Sequence, residues 1–590
     1  METEQKKKEM IKKKELKEMG WTDGLINSFL PFNEEKEWEK KRVEKIMGTK
    51  RFQEAFAKAQ DKKRRKEEAR ARAAEAERKA EEERRERDEI AEFLSHFDIS
   101  EMVERGRKIE RRFVLHVGPT NSGKTYHAIQ ALKKAESGVY LGPLRLLALE
   151  MFDSLNSQGF PCNLLTGEEK EEKEGAKYTA STIEMADYSE HYDVAIIDEA
   201  QLVADPARGG NWTRAILLLD ASEIHICVAP EGLKIVSDLI EEMGHEFEVV
   251  KHERLAPLKF NGIMKSITKV KKGDALITFS RKNVLNIAAE LERLGIKASV
   301  IYGALPPASR REEVRRFVAG ETTVVVATDA IGLGVSLPIR RVIFCATSKY
   351  DGTQTRILNR GEVKQIAGRA GRFGIYDEGY VMTFENPKYI EKCLWEDTEP
   401  IEKIVLPFPE QTLRTDYDLI KLMLVWDLLP KVKGIKRVDL TEPIYLYKYL
   451  PPVPPHVSKA EVYSYLCCPI DIKSEELVGY WRRCLMAIFS GRDLPHPNFE
   501  TESLEGCELQ YKALDVKHQL LRRIGIEDDS MEEKLYLCKK INEHLKKSKT
   551  NFLRKCSVCK QPLPVNYAFG LCENCYNKRK YGNYGDDWNW

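Results

Sequence analysis

The sequence lacks both a long hydrophobic run and an excess of charge of one sign. No stretch of its 590 residues approaches the roughly 18 consecutive apolar residues that a transmembrane helix needs, so no membrane association is expected. Its 96 basic residues nearly balance its 94 acidic residues, which leaves a formal net charge of +2. This balance excludes a uniformly basic coat for nucleic acid, and any nucleic-acid site must be a local groove or patch.

The first 20 residues lack an apolar segment and contain no arginine. A secretory signal needs such a segment, and a mitochondrial presequence is rich in arginine and poor in acidic residues, whereas this tract mixes lysine with glutamate. Apart from the last four, the 13 cysteines are scattered, as buried thiols in a reducing compartment are. These features predict a cytoplasmic protein.

Changes of composition along the chain predict an α/β protein of six segments. From residue 111 to about 388, short apolar runs alternate with amphipathic helical stretches, a pattern typical of βαβ units and parallel sheets. The segments are a charged tract with a small helical element (1–56), a charged helical spacer (57–110), two parallel-sheet domains (111–257 and 258–388), a mainly helical domain (389–549), and a cysteine- and aromatic-rich tail (550–590).

The first two segments are dominated by charge. Residues 1–20 are a lysine- and glutamate-rich tract that we expect to be solvated and poorly ordered. Residues 57–90 consist of alanine and alternating charges, which favour a helix stabilised by pairs four residues apart. Because they lack an apolar seam, a solvated spacer is favoured over a coiled coil or a nucleic-acid-binding arm.

The strongest motif is a phosphate-binding loop that fits G-x-x-x-x-G-K-[ST]. It follows a strand-like run, FVLHV, and precedes an amphipathic helical stretch, as such a loop requires. Its backbone N–H groups can face phosphates at a helix N-terminus. We expect Lys124 to hold the β- and γ-phosphates and Thr125 to ligate Mg²⁺. The predicted nucleotide-binding residues here are Gly118, Pro119, Thr120, Asn121, Ser122, Gly123, Lys124 and Thr125.

A second motif, VAIIDEAQ, is an apolar strand that ends in two carboxylates. A carboxylate at the C-terminal end of a parallel strand points into the ligand crevice of an α/β sheet. We expect Asp198 to share the Mg²⁺ shell and Glu199 to orient or deprotonate the attacking water. A simple helix cap is the alternative, and the phosphate loop upstream favours the catalytic interpretation.

A third motif, QIAGRAGR, places two arginines three residues apart beside two glycines. Arg369 and Arg372 can share one helix face and point at one nucleotide, where guanidinium groups suit developing phosphate charge. A pair of ordinary surface arginines is the alternative. The close approach that glycine permits makes that alternative less attractive.

The last 40 residues contain two C-x-x-C pairs, Cys556 with Cys559 and Cys572 with Cys575. Four thiolates at this spacing predict a structural Zn²⁺ site, with an iron–sulfur cluster or two disulfides as rival interpretations. The neighbouring side chains could grip nucleic acid or pack a small core, and the two interpretations are equally supported. They are Tyr567, Phe569, Tyr576, Lys578, Arg579, Lys580, Tyr581, Tyr584, Trp588 and Trp590.

These motifs, together with ATDAIGLGVSLP, follow the order seen in superfamily-two DExH helicases. The chain resembles the mitochondrial-degradosome RNA helicase family and its bacterial relatives over residues 111–385, and more weakly over 400–545. The segments that carry the resemblance are HVGPTNSGKT, GPLRLLALE, LLTGEE, DPARGGNWTRA, ERLAPL, IYGALPPASRREEVRRF, ATDAIGLG and QIAGRAGRFG. The Ser-Ala-Thr coupling triplet of such helicases is absent, and its equivalent is Val228-Ala229-Pro230.

The resemblance implies two tandem RecA-like domains with ATP bound between them. Gln365 would face the γ-phosphate, and Arg369 and Arg372 would act as arginine fingers across the cleft. Asp329 and Gly332 would lie close to the nucleotide. The residues implied along the nucleic-acid groove are Arg145, Thr166, Gly167, Thr182, Ser280 and Thr328, of which Thr328 would act with Asp329 to couple the two sites.

The sequence therefore predicts an ATP-dependent RNA helicase that moves along single strands, 3′ to 5′ by the resemblance, and unwinds duplexes. A DNA helicase with the same mechanism is one alternative, because contacts to phosphate do not distinguish the sugar. An ATP-switched adaptor that recruits a partner such as a nuclease, without unwinding, is the other. ATP, Mg²⁺ and structural Zn²⁺ are the expected cofactors.

Overall fold

The structure is a computed structural model that describes residues 9–332, 337–352, 354–528, 530–547, 555–561, 563 and 570–581. These residues form two compact units, which divide between Glu92 and Phe93. No helix within the described ranges is both long and apolar enough to cross a membrane. Part of the predicted aromatic tail lies outside the described residues, namely Tyr567, Phe569, Tyr584, Trp588, Trp590 and the side chain of Tyr581.

The first unit is a small α/β module that leads into a long helix. Its elements are β1 (Met10–Lys12), α1 (Lys13–Glu18), α2 (Asp23–Phe29), β2 (Glu37–Glu39), α3 (Lys40–Met47) and α4 (Lys50–Ser95). Strands β1 and β2 pair in antiparallel fashion. The core of the module consists of Ile11, Leu16, Trp21, Leu25, Ile26, Leu30, Trp38, Val43 and Phe52.

The prediction that residues 1–20 are solvated and poorly ordered is wrong where the structure describes them. Leu16 is completely buried, and Ile11 pairs opposite Trp38 in the β1–β2 ladder. Two isolated apolar residues in a charged tract are enough to join a core that two tryptophans dominate. The helix predicted for 57–90 is present within α4, where exposed ion pairs such as Arg78–Glu75 and Arg85–Glu89 line its surface.

The second unit begins with α5 (Ile99–Arg107) and a parallel sheet, here called the first domain. The strands are β3 (Arg112–Val117), β4 (Gly138–Gly142), β5 (Cys162–Leu165), β6 (Lys170–Glu171), β7 (Tyr178–Thr182), β8 (Tyr192–Ile197), β9 (Ala221–Val228) and β10 (Phe247–Lys251). They lie in the order β10-β3-β9-β8-β4-β7-β5-β6, and only the pair β5–β6 is antiparallel. The helices are α6 (Lys124–Leu132), α7 (Arg145–Ser157), α8 (Gly209–Leu218) and α9 (Leu233–Glu242).

The second domain is another parallel sheet, with strand order β11-β18-β15-β12-β14-β13. Its strands, with a two-stranded hairpin β16–β17, are β11 (Leu258–Ile263), β12 (Asp274–Ile277), β13 (Ala298–Ile301), β14 (Val324–Ala327), β15 (Arg341–Phe344), β16 (Ser348–Tyr350), β17 (Thr355–Ile357) and β18 (Gly379–Thr383). Its helices are α10 (Arg281–Arg293), α11 (Pro307–Val318), α12 (Arg360–Ala367) and α13 (Pro387–Trp395). The first and second domains are therefore RecA-like sheets in tandem.

The remaining described residues are mainly helical. The elements are β19 (Ile404–Leu406), α14 (Leu419–Leu428), β20 (Ile435–Arg437), α15 (Thr441–Tyr447), α16 (Lys459–Leu466), α17 (Glu475–Phe489), α18 (Leu504–Arg523), α19 (Met531–Lys546) and α20 (Glu573–Tyr581). We call residues 404–546 the C-terminal helical region.

The C-terminal helical region packs against both sheets. Leu504, Cys507, Ile541 and Leu545 of α18 and α19 belong to the same hydrophobic cluster as strands β12, β13 and β14 of the second domain. On the other side, the buried Thr213 hydroxyl of α8 donates to the carbonyl of Val405 at 2.7 Å. The C-terminal helical region therefore shares a hydrophobic core with the second domain and is hydrogen-bonded to the first.

We expect Ile541→Ala to destabilise the second domain as well as α19. Ile541 is completely buried in the shared cluster, and truncation of such a side chain costs about 2–5 kcal/mol. Thermal unfolding followed by circular dichroism should show a lower midpoint for this variant. The control is Leu535→Ala, in the same helix, where the Leu535 side chain is 46% exposed. The unfolding midpoint of this control should stay close to that of the unmodified chain. Equal midpoints for both variants would contradict the shared core.

Candidate functional site

The predicted site residues lie at one edge of each sheet. In parallel sheets the C-terminal ends of the strands meet at the same edge, where ligands bind. In the first domain, the phosphate loop follows β3, and the two carboxylates follow β8. Arg145, Thr166 and Thr182 follow or end β4, β5 and β7. Because the strand order is β3-β9-β8-β4-β7-β5, one half of the edge carries the nucleotide motifs and the other half carries the predicted strand-binding residues.

The phosphate loop gathers hydrogen-bond donors at the start of α6. Asn121 and Gly123 have positive φ angles of 65° and 83°, which curl the backbone toward the start of α6. A Cβ added at Gly118 would lie 2.4 Å from the carbonyl oxygen of His252, so only glycine fits there. Lys124 Nζ donates to Gly118 O at 2.6 Å, and Ser122 Oγ is buried without a hydrogen-bond partner among the described residues. This donor set fits a phosphate group.

Asp198 and Thr125 lie together as the sequence predicts. The Thr125 hydroxyl is 3.4 Å from each Asp198 carboxylate oxygen, and the buried Tyr140 hydroxyl donates to Asp198 Oδ2 at 2.9 Å. Burial and the neighbouring Glu199 raise the pKa of Asp198 to about 6. A hydroxyl and a carboxylate in this arrangement suit Mg²⁺, which takes oxygen ligands. Sequence analysis missed Tyr140, whose only signal is its position in the strand run GVYL.

Glu199 is held by its neighbour Gln201. Glu199 has a positive φ of 52°, and its carboxylate accepts a hydrogen bond from the side-chain amide of Gln201. The other end of that amide accepts from the backbone N–H of Ala229 at 3.0 Å. Gln201 thus connects the carboxylate motif to Val228-Ala229-Pro230. Its role was not assigned from the sequence, although the motif D-E-A-Q contains it.

Gln365, Arg369 and Gly332 come together in the second domain. Arg369 Nε donates to the carbonyl of Gly332 at 3.1 Å, and a second guanidinium nitrogen donates to the same oxygen. A Cβ added at Gly332 would lie 3.6 Å from Gln365 Cγ. Burial lowers the pKa of Arg369, and the carboxylates of Glu199, Glu150 and Asp198 oppose that shift. The Arg369 guanidinium therefore interacts electrostatically with carboxylates of the first domain. The Arg372 carbonyl accepts from the N–H groups of Ile375 and Tyr376.

Arg254 joins the two domains at the phosphate loop. One guanidinium nitrogen donates to Thr120 O and to Gly368 O, both at 2.9 Å, and another donates to Ala370 O. Asn121 Nδ2 adds a bond to Gly371 O at 2.8 Å. Burial and the nearby charge of Arg369 lower the pKa of Arg254 to about 10. Sequence analysis missed Arg254, and its only signal was its place in the segment ERLAPL.

A row of histidines supports the phosphate loop from behind. Glu223 accepts from His225 Nε2 at 2.7 Å, so His225 Nδ1 accepts from His116 Nε2 at 2.9 Å. His116 Nδ1 in turn accepts from His252 Nε2 at 3.0 Å. Burial lowers the pKa of all three histidines, that of His116 to about 4, and keeps the row neutral. His252 therefore donates to His116, His116 donates to His225, and His225 donates to Glu223.

Three predicted strand-binding residues contact helix α18. The Arg145 guanidinium pairs with Glu168 and lies 3.6 Å from the carboxylate of Asp515. The carbonyl of Gly167 accepts from Gln519 at 2.6 Å, and that of Thr166 accepts from Arg522. No role was assigned to these three residues of α18 from the sequence, although they lie within residues 400–545, where the resemblance is weaker.

The other predicted strand-binding residues lie at strand ends. Thr182 is buried at the end of β7, and Ser280 caps α10 by accepting from the N–H of Asn283 at 3.1 Å. Thr328 Oγ1 accepts from the N–H of Ala330 at 3.3 Å. Next to Ser280, Arg281 pairs with Glu505 and Glu508 of α18, each at 3.0 Å. Helix α18 therefore contacts this edge in both domains.

The four C-terminal cysteines form one cluster. Their sulfur atoms all lie within 4.8 Å of one another, and Cys559 Sγ is 3.5 Å from Cys572 Sγ. Tetrahedral Zn²⁺ with Zn–S bonds near 2.3 Å places its sulfurs about 3.8 Å apart. None of the four is in a disulfide. The arrangement fits a four-thiolate metal ion and does not contain the disulfides that the sequence left open.

The first domain carries the phosphate loop and the paired carboxylates, and the second carries the loop of Arg369, which is the division of motifs expected of a helicase core. Residues 100–252 match the family described as the DEXQ-box helicase domain of Suv3, and residues 258–374 match the helicase conserved C-terminal domain. These two matches cover the two parallel-sheet domains and confirm the resemblance seen in the sequence.

Relatives with similar sequences carry consistent names. The mitochondrial DExH-box ATP-dependent RNA helicase DExH16 of Arabidopsis thaliana is 48% identical over 45% of this chain and 48% of its own length. The mitochondrial ATP-dependent RNA helicase SUV3 of Candida albicans is 42% identical over 50% of this chain and 43% of its own length. SUPV3L1 of Danio rerio is 36% identical over 63% of this chain and 51% of its own. The chain spans about half the length of the curated relatives that it matches.

The predicted cytoplasmic location is wrong in light of these relatives, which are all named as mitochondrial. The prediction rested on scattered reduced cysteines and on the charge pattern of the first 20 residues. Reduced cysteines indicate a reducing compartment but do not specify which one.

We expect Arg254→Gln to reduce the turnover of ATP by about tenfold or more, since misplacing reacting groups by about 1 Å can cost 100-fold. The change removes the hydrogen bonds to Thr120, Gly368 and Ala370 that hold the phosphate loop against the loop of Arg369. Steady-state release of phosphate measures the effect. Arg293→Gln is the matched control, because the Arg293 side chain is exposed and pairs with Glu290 of its own helix, α10. Turnover of Arg254→Gln within twofold of the control would contradict this role.

Proposed function

We propose that this chain is an ATP-dependent RNA helicase that moves along a single strand and separates duplexes. The observation that carries the proposal is the cleft in which Asn121 and Arg254 hold the phosphate loop against the loop of Arg369. Hydrolysis in such a cleft can move two domains relative to each other, which is how a strand is advanced. The choice of RNA rests on the names of the relatives, which are ATP-dependent RNA helicases.

The chemistry is in-line attack of water on the γ-phosphorus of ATP, which breaks the bond to the bridging oxygen and releases ADP. Lys124 binds the β- and γ-phosphates after leaving the loop carbonyls that it contacts. Glu199, oriented by Gln201, accepts a proton from the water. Gln365, Arg369 and Arg372 stabilise the charge on the transferred phosphoryl group. Thr125 and Asp198 would hold Mg²⁺, which neutralises phosphate charge when bound.

Strand movement would follow from the edge that both sheets share. Hydroxyls and backbone groups bind phosphates without reading bases, which suits a groove built from Thr166, Gly167, Thr182, Ser280 and Thr328. Arg145 adds a positive charge on the first domain. ATP binding closes the cleft, and release of the products loosens it, so the grips of the two domains on the strand shift in turn. The 3′-to-5′ direction is carried over from the resemblance.

We expect Lys124→Ala and Glu199→Gln to abolish turnover in different ways. Loss of the lysine charge should weaken nucleotide binding, whereas Glu199→Gln should still bind ATP and lower turnover by about 100-fold or more, because only water activation is lost. Binding of a fluorescent ATP analogue and release of phosphate separate these effects. Turnover near that of the unmodified chain in either variant would contradict the assignment.

The substrate is tested on the unmodified chain beside these two variants. Poly(U) should stimulate phosphate release more than poly(dT), and a duplex with a 3′ single-stranded RNA tail should be separated in an ATP-dependent manner. Equal stimulation and separation with DNA would favour a DNA helicase. Stimulated hydrolysis without separation of either duplex would favour an ATP-switched adaptor.

We propose in addition that Cys556, Cys559, Cys572 and Cys575 hold one structural Zn²⁺ ion. A segment this small cannot bury enough surface to fold without such a metal. Purified protein should contain about one zinc per chain, and Cys572→Ser should lose it, because three thiolates leave an open position. Basal hydrolysis of ATP should persist in that variant. Zinc-free protein, or a collapse of basal hydrolysis in Cys572→Ser, would contradict a separable zinc site.

A further inference from the structure

The hairpin β16–β17 presents two basic residues on one face. Lys349 and Arg356 are directly opposite each other in its antiparallel register. Residues opposite each other across a ladder point to the same face of the hairpin. This face therefore carries two positive charges side by side, and it lies toward the nucleotide-binding segments of the second domain.

Both basic residues bind one carboxylate at the start of α12. Arg356 binds Glu362 with two hydrogen bonds of 2.8 and 2.9 Å, and Lys349 Nζ lies 2.7 Å from Glu362 Oε1. Glu362 also accepts from the backbone N–H of Asn359, which caps the helix. Burial opposes ionisation of Glu362, but the bonds from Arg356 and Lys349 outweigh it and lower its pKa to about 2. Helix α12 carries Gln365 one turn further on.

Lys349 also reaches the second nucleotide segment of this domain. Its ammonium group lies 3.0 Å from Asp329 Oδ2, at the start of the turn Asp329–Gly332. The other end of that turn supplies the Gly332 carbonyl that binds Arg369. The side chains of Lys349 and Glu362 are only 19% and 18% exposed, so solvent screens that ion pair weakly, whereas the Asp329 side chain is 45% exposed. One lysine thus connects the hairpin to both segments that line the nucleotide cleft.

The opposite face of the hairpin contacts the C-terminal helical region. Tyr350 follows Lys349 and therefore points to the other side of the strand. The Lys473 ammonium, just before α17, lies 5.5 Å from the centre of the Tyr350 ring. The hairpin therefore lies between the nucleotide segments and the residues that precede α17 in the C-terminal helical region.

We propose that Lys349 and Arg356 are positioning residues that transmit the state of the nucleotide cleft through the hairpin to the C-terminal helical region. The proposal rests on the proposed helicase function, because the transmitted movement has to be used in separating strands. When the turn at Asp329 and helix α12 shift with the nucleotide, the ion pairs oblige the hairpin to follow. Removal of Lys349 leaves Glu362 bound by Arg356 alone and takes away the ion pair to Asp329, so the hairpin loses its connection to the turn at Asp329.

The test compares Lys349→Met with Lys349→Arg in the full chain. Lys349→Met should keep basal hydrolysis of ATP, yet the number of duplexes separated per ATP hydrolysed should fall by about tenfold, within the range of measured coupling effects. Lys349→Arg, which keeps the charge and can bind both carboxylates, should restore most of this ratio. Lys388→Met removes an exposed lysine of α13 and should match the unmodified chain.

A second readout does not depend on strand separation. Hydrogen exchange of residues 467–480 should change in the unmodified chain when ADP with beryllium fluoride is added, and Lys349→Met should abolish this change. An unmodified chain that hydrolyses ATP but separates no duplex would overturn the proposed function, while the exchange result would still decide the coupling. The coupling is overturned if residues 467–480 do not respond to the nucleotide, or if Lys349→Met responds and separates duplexes normally. A parallel loss of basal hydrolysis in Lys349→Met would also overturn it, because it would indicate a merely structural role.

Discussion

The guanidinium of Arg254 donates to carbonyl groups of both parallel-sheet domains, and the cleft between them has its shape because of these bonds. Thr120 O belongs to the phosphate loop, whereas Gly368 O and Ala370 O belong to the loop that contains Arg369. Carbonyls accept but cannot donate, so only a group rich in N–H donors can join two such loops at this point. This partly buried arginine donates to carbonyls, which carry no charge, and burial together with the nearby Arg369 lowers its pKa to about 10. Anionic phosphate in the cleft would compensate the charge of Arg254, so the same residue favours both closure of the cleft and the ligand that occupies it.

Strand β4 explains how two kinds of site share one sheet edge in the first domain. It lies between β8, which ends in the carboxylate motif, and β7, which ends at Thr182. Tyr140 within β4 reaches sideways to Asp198, and Arg145 begins the helix that follows. Five residues therefore separate a contact of the nucleotide half from a contact of the strand half.

The sequence predicted the tandem sheets and the chemical motifs because these depend on local patterns. Short apolar runs between amphipathic stretches predict parallel strands, and Lys124, Asp198 and Arg369 occur in motifs whose spacing a single chain reveals. Arg254, Tyr140 and the α18 residues Gln519 and Arg522 were missed because their partners lie from 58 to 356 residues away. No periodicity or motif encodes such pairs. The buried Leu16 was missed for a similar reason, since a single apolar residue in a charged tract gains its partners only in the folded module.

Helices α18 and α19 supply Leu504, Cys507, Ile541 and Leu545 to a cluster that also contains Leu276, Val300 and Val326. The strand residues of this cluster and its helix residues lie far apart in the chain, since Val326 comes long before Leu504. During synthesis, the second domain cannot complete its apolar interior until residue 545 has emerged from the ribosome. Contacts of such long sequence separation form late and slowly. Until they form, strands β12, β13 and β14 expose apolar surface to solvent. The fold therefore needs protection against aggregation for longer than its two compact sheets suggest, and a nascent chain that stalls before α18 would leave the second domain unfinished.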